Sequence, residues 1–229
     1  MEKDGFLVNA SMSALGLSHG VTTRKLGNMK DESKRRAATE ALGLSGPVTL
    51  RQVHGTEIHQ AVEATLGAEG DGLLGGGRPE LGFGVYVADC VPLFVWVEDG
   101  SSAGVFHAGW RGTAAGMARD AVRAFQGTLA RPEDLHAAIG PHIGSCCYKV
   151  GGEVAACFPP SAFARRGADM YLDLAAETRR QLLEAGLDSD RVLTEAPCTV
   201  CNPDLFYSFR RDKQDARMLA LLSAGRRPA

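Results

Sequence analysis

The residues of this chain best suited to chemistry are its histidines and cysteines, six of each. Three of them stand where an extended stretch gives way to a turn: His54 in "RQVHG", Cys90 in "VADC" and His107 in "GVFHAGWRG". Two imidazoles and one thiolate suit a tetrahedral zinc ion with its fourth position open to water or substrate, which is the pattern of catalytic rather than structural zinc. Cys90 and His107 also suit a thiolate nucleophile and its base, with Asp89 or a backbone carbonyl as orienter. Spacing alone does not join His54 to the other two, and a single histidine beside a glycine is often a turn or packing residue. Both chemistries stay open at this point.

The other candidates carry weaker signals. His59 reads as a supporting or surface residue, His142 as part of the turn in "GPHIG", and His136 as solvent-facing; His19 lies near a possible strand. Cys146 and Cys147 are adjacent, and Cys198 and Cys201 form a single CxxC with no second pair. With Cys157 they are read as packing or bystander thiols, since free cysteine commonly behaves as a small buried hydrophobe. Arg210 and Arg211 read as a salt-bridged edge, with anion binding as the alternative.

Several elements must position these residues. "DESKRRAATEALGL" predicts a helix ended by Gly43, and "PVTLRQVHG" a strand that stops at Gly55. The glycine-rich run from Gly67 to Glu80 is expected to be loop. Phe83, Val85 and Val87 alternate as a strand, followed by the polar break Ala88-Asp89-Cys90 and a second strand from Val91 to Val97. Asp99-Gly100 favours a two-residue hairpin turn. That turn places Glu98 opposite Ser101, Pro92 opposite His107 and Cys90 opposite Gly109. Cys90 and His107 then become diagonal neighbours on one face, roughly 7–8 Å apart at the backbone.

Beyond the hairpin, a helix is expected from Gly112 or Thr113, with Ala118, Ala121, Val122, Phe125 and Leu129 on its apolar stripe. Its free N–H groups and Arg111 would form a small anion site. "DLHAAIGPHIG" reads as strand and turn, "YLDLAAETRRQLLEAGL" as an amphipathic helix closed by Gly186, and "RVLTEAPCTV" and "LFYSFRRD" as further strands. Mixed strands with few helices indicate α+β layering. No repeat or linker divides residues 1–229, which are expected to form a single domain.

Composition narrows the function. With 45% apolar and 23% charged residues the chain is ordinary for a soluble protein with a sizeable core. A net charge of −2 argues against a general nucleic-acid or membrane-surface binder. The acidic start "MEKDG" and the lack of a long apolar run near it argue against a signal peptide. The longest apolar run, Val91 to Val97, is too short to span a bilayer. A cytoplasmic location is the expectation, with thiols kept reduced.

Five stretches in order resemble the motifs of the YfiH-like family: "RQVHGTEIH", "ADCVPLF", "HAGWRGTAAG", "IGPHIGSCCYKVGGEV" and "CTVCNPDLFYSFRRDKQDARM". Members of that family go by multicopper polyphenol oxidase (laccase), purine nucleoside phosphorylase and peptidoglycan editing factor. The resemblance implies an α+β sandwich of mixed sheets flanked by helices, similar to the catalytic domain of a deamidating bacterial toxin. It implies a zinc site whose ligands fall on His54, Cys90 and His107. Departures from the family pattern are Lys149 where an acidic residue is common, "KQDAR" without its usual glycine, and a shortened N-terminal segment. The family's Asn-Arg pair would fall on Lys34-Arg35, which marks Arg35 as a phosphate contact.

The expectation from this resemblance is a zinc-dependent enzyme, with one ion per chain, that phosphorolyses adenosine, inosine and methylthioadenosine and also deaminates adenosine. Its partners are purine nucleosides and phosphate, with no nucleic acid or membrane, and it is a monomer or homodimer. Arg111 and Arg35 would grip phosphate, Arg210 would contact substrate, and Trp110 or Phe106 would stack on the base. Asp89 is a candidate general acid/base or a partner for a histidine. A peptidoglycan-precursor amidase could use the same zinc, and a cysteine hydrolase would need none. A non-catalytic zinc-stabilised binding protein would leave no coordination position open. A copper polyphenol oxidase ranks lowest, because several coppers need more paired histidines than six scattered ones supply.

Overall fold

Alternation along the strand Met218–Ala224 sets the layers of the molecule. Ala220 and Leu222 point into a core shared by two sheets, while Leu219 and Leu221 point the other way, onto Phe6, Met29 and Ala38. In the computed structural model, which describes residues 1–64, 67–127 and 130–225, two six-stranded sheets therefore pack face to face with helices on their outer sides. The first sheet runs in the order Glu2–Lys3, Phe6–Leu7, His19–Thr22, Met218–Ala224, Arg78–Val87 and Ser45–Val48. The second runs Val192–Leu193, Leu135–Ile139, Val91–Val97, Ser102–Ala108, Gly72–Gly76 and Ile58–Gln60. A three-stranded sheet of Lys149–Val150, Asp169–Leu172 and Phe163–Arg166 stands beside them. Parallel and antiparallel pairings mix in both large sheets. This is the mixed-sheet α+β architecture expected from the sequence.

The inter-sheet core contains Phe83, Val85 and Val87 from one sheet and Phe94, Trp96, Ala103 and Val105 from the other. On the far side of the second sheet, Leu93, Val95 and Phe106 pack against Met117, Ala118, Ala121, Val122 and Phe125. Phe106 is fully buried there, and its ring fills the space left by two glycines. A Cβ at Gly72 or Gly104 would lie 2.6 or 2.5 Å from it. The ring thus belongs to the helix-side core and does not stack on a ligand.

The hairpin register is the expected one: Pro92 pairs with His107, and Trp96 with Ala103. The helix Glu32–Ala41 is capped by Asp31, whose carboxylate accepts the N–H groups of Ser33 and Lys34, and Leu174–Glu184 is capped by Asp173.

Other expectations need correction. The run from Gly67 to Glu80 is not loop throughout, because Gly72–Gly76 is a strand between Ile58–Gln60 and Ser102–Ala108 and Arg78 begins another. Gly72 is used there for close approach to Phe106, while Gly77 takes a positive φ of 70° between the two strands. The strand expected over "PVTLRQVHG" ends at Val48, and further on Gln52 pairs with the Tyr86 backbone through its side-chain amide, at 2.9 and 2.7 Å. The helix after the hairpin begins at Trp110 rather than Gly112 and breaks at Gly116, where φ is 99°. "LFYSFRRD" ends in a helical turn, Phe209–Asp212, because the Ser208 side chain accepts the Arg211 N–H and caps it. His136 stacks on Trp96 rather than facing solvent. Leu129, placed on the apolar stripe, lies outside the described residues.

Phe106→Ala removes a ring that the backbone was shaped around. It should lower unfolding stability by about 3–5 kcal/mol in a denaturant titration, whereas a loss below ~1 kcal/mol would mean that the two glycines do not depend on the ring.

Candidate functional site

The strand Arg78–Val87 belongs to the first sheet and Val91–Val97 to the second, so the "ADC" break is the corner where the chain changes sheets. Cys90 sits on that corner. His107 comes up beside it on the paired strand, on the face that carries Val105. His54 arrives from the turn after Gln52. The donor atoms of His54, Cys90 and His107 all lie within 4.8 Å of one another, and the two imidazole rings meet edge to face at 4.9 Å. His107 is buried, Cys90 half-buried and His54 exposed.

One carboxylate holds this arrangement. Asp71 is fully buried and accepts from the backbone N–H groups of Val53, His54 and Gly55 at 3.1, 3.0 and 2.7 Å. The same carboxylate meets His107 Nδ1 at 2.7 Å, which leaves Nε2 for the cluster. His54 takes a positive φ of 62° inside this turn. Burial would raise the Asp71 carboxyl, but the His107 hydrogen bond and the amide donors outweigh it and hold the group below its ordinary value.

The glycines of "HAGWRG" are matters of space. A Cβ on Gly109 would lie 3.0 Å from both Cys90 Sγ and His54 Cδ2, and one on Gly112 would lie 2.8 Å from the Gly55 carbonyl. Any larger residue would push the three donors apart or lift the helix Trp110–Ala115 off the His54 turn.

The charges of the cluster couple strongly. Burial pushes the Cys90 thiol up, yet His107 and His54 outweigh it and bring Cys90 down to about 6. Burial likewise opposes a charge on His107, but the Cys90 thiolate and Asp71 raise it to about 9. The two shifts favour a thiolate beside an imidazolium, and a bound cation would take the place of the His107 proton. The donor set itself fits zinc: two nitrogens, one soft sulfur, and an orienting carboxylate behind one imidazole.

Asp89 adopts φ 90° at the corner and is buried, at 8% exposure. Its carboxylate accepts from Thr199 Oγ1 at 2.5 Å, Ser208 Oγ at 3.0 Å and the Arg210 N–H at 2.6 Å. Its partners are thus two hydroxyls and an amide, which tie three chain segments together.

A cavity of about 770 Å³ opens above the cluster. Arg111 lines it, with its guanidinium 4.3 Å from the centre of the Trp110 ring. Arg210 lines it too, bonded to the Lys149 carbonyl at 2.8 Å and lying 5.0 Å from the Tyr148 ring. Lys30, Arg51, Lys213 and Arg217 complete a set of six cations, against Asp89 as the single carboxylate, among the described residues of the lining. Arg111, Arg210 and Lys213 make no ion pair among the described residues. Arg35 is not part of this lining; its guanidinium donates to the Met29 carbonyl at 3.2 Å. Burial and the Cys90 charge push the Tyr148 phenol up to about 12, so it stays neutral and able to donate.

Sequence reasoning missed Asp71, Tyr148, Lys30, Arg51, Lys213 and Arg217. For Asp71 the available signal was an acid set between glycines in "EGDGLL".

A three-donor cluster at a sheet-switch corner, beneath a cationic cavity, defines an α+β sandwich with a candidate single-metal site. The chain belongs to the family described as multi-copper polyphenol oxidoreductase laccase, whose model matches residues 19–224. It is 35% identical to a purine nucleoside phosphorylase of Xylella fastidiosa over 212 residues, covering 85% of this chain and 78% of that one. It is also 35% identical to the purine nucleoside phosphorylase YlmD of Geobacillus stearothermophilus over 213 residues, covering 85% and 77%. The crystal structure of that organism's YlmD superposes with a TM-score of 0.86 at 30% identity, covering 99% of this chain and 98% of that one. The Bacillus licheniformis hypothetical protein YfiH gives 0.83 at 25% identity, covering 96% and 99%. Among the described residues no helix is long and apolar enough to cross a membrane.

Asp71→Asn keeps the size of the side chain but removes its charge and turns one acceptor into a donor facing backbone N–H groups. Zinc affinity, measured by competition with a chromogenic chelator, should fall about 10–100-fold. An unchanged affinity would mean that His54 and His107 find their places without it.

Proposed function

We propose that this protein is a zinc-dependent purine nucleoside phosphorylase, acting on adenosine, inosine and methylthioadenosine with adenosine deamination as a second activity. The reading takes it as a cytoplasmic enzyme of one domain, active as a monomer or homodimer. The observation that carries it is the juxtaposition of the His54–Cys90–His107 donor set with a cavity lined by six cations and one carboxylate. The relatives named as purine nucleoside phosphorylases support the choice of substrate.

In phosphorolysis a phosphate oxygen bonds to the ribose anomeric carbon, and the C–N bond to the purine breaks with its electron pair moving to the base. A zinc ion held by His54, Cys90 and His107 would supply Lewis acidity next to that exchange. The chain's own residues bind and orient the reactants. Arg111 and Arg210 grip phosphate, helped by Lys213, because a guanidinium offers parallel N–H donors to two oxygens. Trp110 and Tyr148 offer aromatic faces to the base, and the neutral Tyr148 hydroxyl can donate a hydrogen bond to it. Asp89 fixes the wall from which Arg210 projects.

A second reading has one observation in its favour. The Cys90 thiolate beside the His107 imidazolium is also the pair that a metal-free cysteine hydrolase would use. A chelator separates the two. If zinc carries the reaction, chelation should abolish turnover and added zinc should restore it. Chelator-insensitive turnover that a thiol alkylator stops at Cys90 would favour the hydrolase.

Phosphate recognition is tested at Arg111. Arg111→Lys should keep zinc and the melting temperature, yet lower kcat/KM for phosphorolysis by about 1.5–3 kcal/mol, with a smaller loss in deamination. Equal losses in both activities together with a lowered melting temperature would remove Arg111 from the phosphate site.

A further inference from the structure

Four cysteines outside this chemistry meet at one point. The Sγ atoms of Cys146, Cys147, Cys198 and Cys201 lie within 4.8 Å of one another, although the residues come from two separate turns. Cys146 and Cys147 sit on a turn whose Cys147 and Tyr148 N–H groups both return to the Gly144 carbonyl, at 2.9 and 3.0 Å. Cys198 and Cys201 sit on a second turn, joined to the first by the Thr199 N–H donating to the His142 carbonyl at 2.9 Å. The packing or bystander role expected of these thiols does not account for their convergence.

We propose that Cys146, Cys147, Cys198 and Cys201 bind one structural zinc ion as a closed tetrathiolate site. Four sulfur donors leave no position for water or substrate, and that is the mark of structural rather than catalytic zinc. The spacing suits a single ion. Cys146 and Cys147 Sγ lie 3.6 and 3.4 Å from Cys201 Sγ, close to the edge of about 3.8 Å that four Zn–S bonds of ~2.3 Å require. A disulfide would need sulfurs about 2.05 Å apart. An iron–sulfur cluster spreads its thiolates over several metal atoms and so sets them wider than one ion does.

Against burial, backbone donors gather on Cys198 and hold its thiol below the ordinary value. Burial and the neighbouring sulfurs push Cys146 and Cys147 up in the absence of a cation. The Gly144 N–H donates to Cys198 Sγ at 3.3 Å, and the amides of Val200 and Cys201 reach the same sulfur from within the CxxC turn. A Cβ at Gly144 would lie 3.3 Å from Cys146 Sγ and 3.5 Å from Cys198 Cβ, so glycine lets the two turns close. A zinc with four thiolates carries net negative charge, and each turn has a guanidinium against it. Arg166 donates to the carbonyl of Cys146 at 3.1 Å, and Arg211 to those of Thr199 and Val200 at 2.9 and 3.1 Å. Loading the site releases the thiol protons to solvent and needs no oxidant.

The site would staple two segments that shape the cavity. One carries Ile143 and Tyr148 in the lining, and the other carries Thr199, which holds Asp89. The proposal stands apart from the catalytic reading, because it concerns a different set of donors.

The test is metal analysis of the full chain purified under reducing conditions. The wild type should carry about two zinc ions per chain and His54→Ala/His107→Ala about one. Cys198→Ser/Cys201→Ser should retain about one and melt at a lower temperature. Cobalt added to the histidine variant should give the intense thiolate-to-metal absorption of a tetrahedral sulfur site. Should the cysteine variant fail to fold, the histidine variant still decides. A histidine variant free of zinc and silent with cobalt overturns the proposal, as does iron in place of zinc or a disulfide among the four thiols. If only the histidine variant retains the full zinc content of the wild type, the catalytic reading fails while this one stands.

Discussion

The buried carboxylate of Asp71 is the constraint on which the site depends. A charge taken out of water is costly unless its lone pairs are met, and removing a partner from such a group costs more than a surface contact does. Here three successive amides and an imidazole meet them. The turn carrying His54 lies outside the strands, after the bridge of Arg51 to Glu69, and its amides find their acceptor in Asp71. The interaction that closes the turn therefore also orients His107, so two of the three donors are set by one side chain.

The third donor depends on topology. Cys90 lies where the chain leaves the first sheet for the second, and a corner exposes backbone groups that a strand would pair. Asp89 answers this twice: its carbonyl accepts the Ile143 N–H at 2.9 Å, and its carboxylate gathers Thr199, Ser208 and Arg210. Both residues beside the cluster with positive φ, His54 and Asp89, are pinned in this way. Strain of this kind costs of order 1–3 kcal/mol and persists because surrounding bonds over-determine it. The same bonds bring distant segments to the cavity edge.

The charge around the cavity follows from these placements. A chain with a net charge of −2 collects six cations in one lining while its acids pair elsewhere. Lys30 and Arg217 share Asp215, and Arg51 pairs with Glu69. Arg111, Arg210 and Lys213 carry the remaining positive field. An anion entering this space meets donors already arranged for it.

Local signals made part of this legible. The hairpin over Val91–Val97 and Ser102–Ala108 could be read to the residue, because a two-residue Asp-Gly turn ties register to sequence and register decides which side chains share a face. The helices over "DESKRRAATEALGL" and "YLDLAAETRRQLLEAGL" and the residue types of His54, Cys90 and His107 were legible for similar reasons, whereas the caps Asp31 and Asp173 came from the structure. Asp71 was not, because its partners lie 16 to 36 residues away and a glycine-flanked acid looks like loop. Nor was the convergence of His54 on the other two donors, or that of four cysteines from two distant turns. Periodicity and turn chemistry act over a few residues, whereas these meetings are produced by two sheets packing on each other, and only the tertiary structure decides which turns that packing brings together.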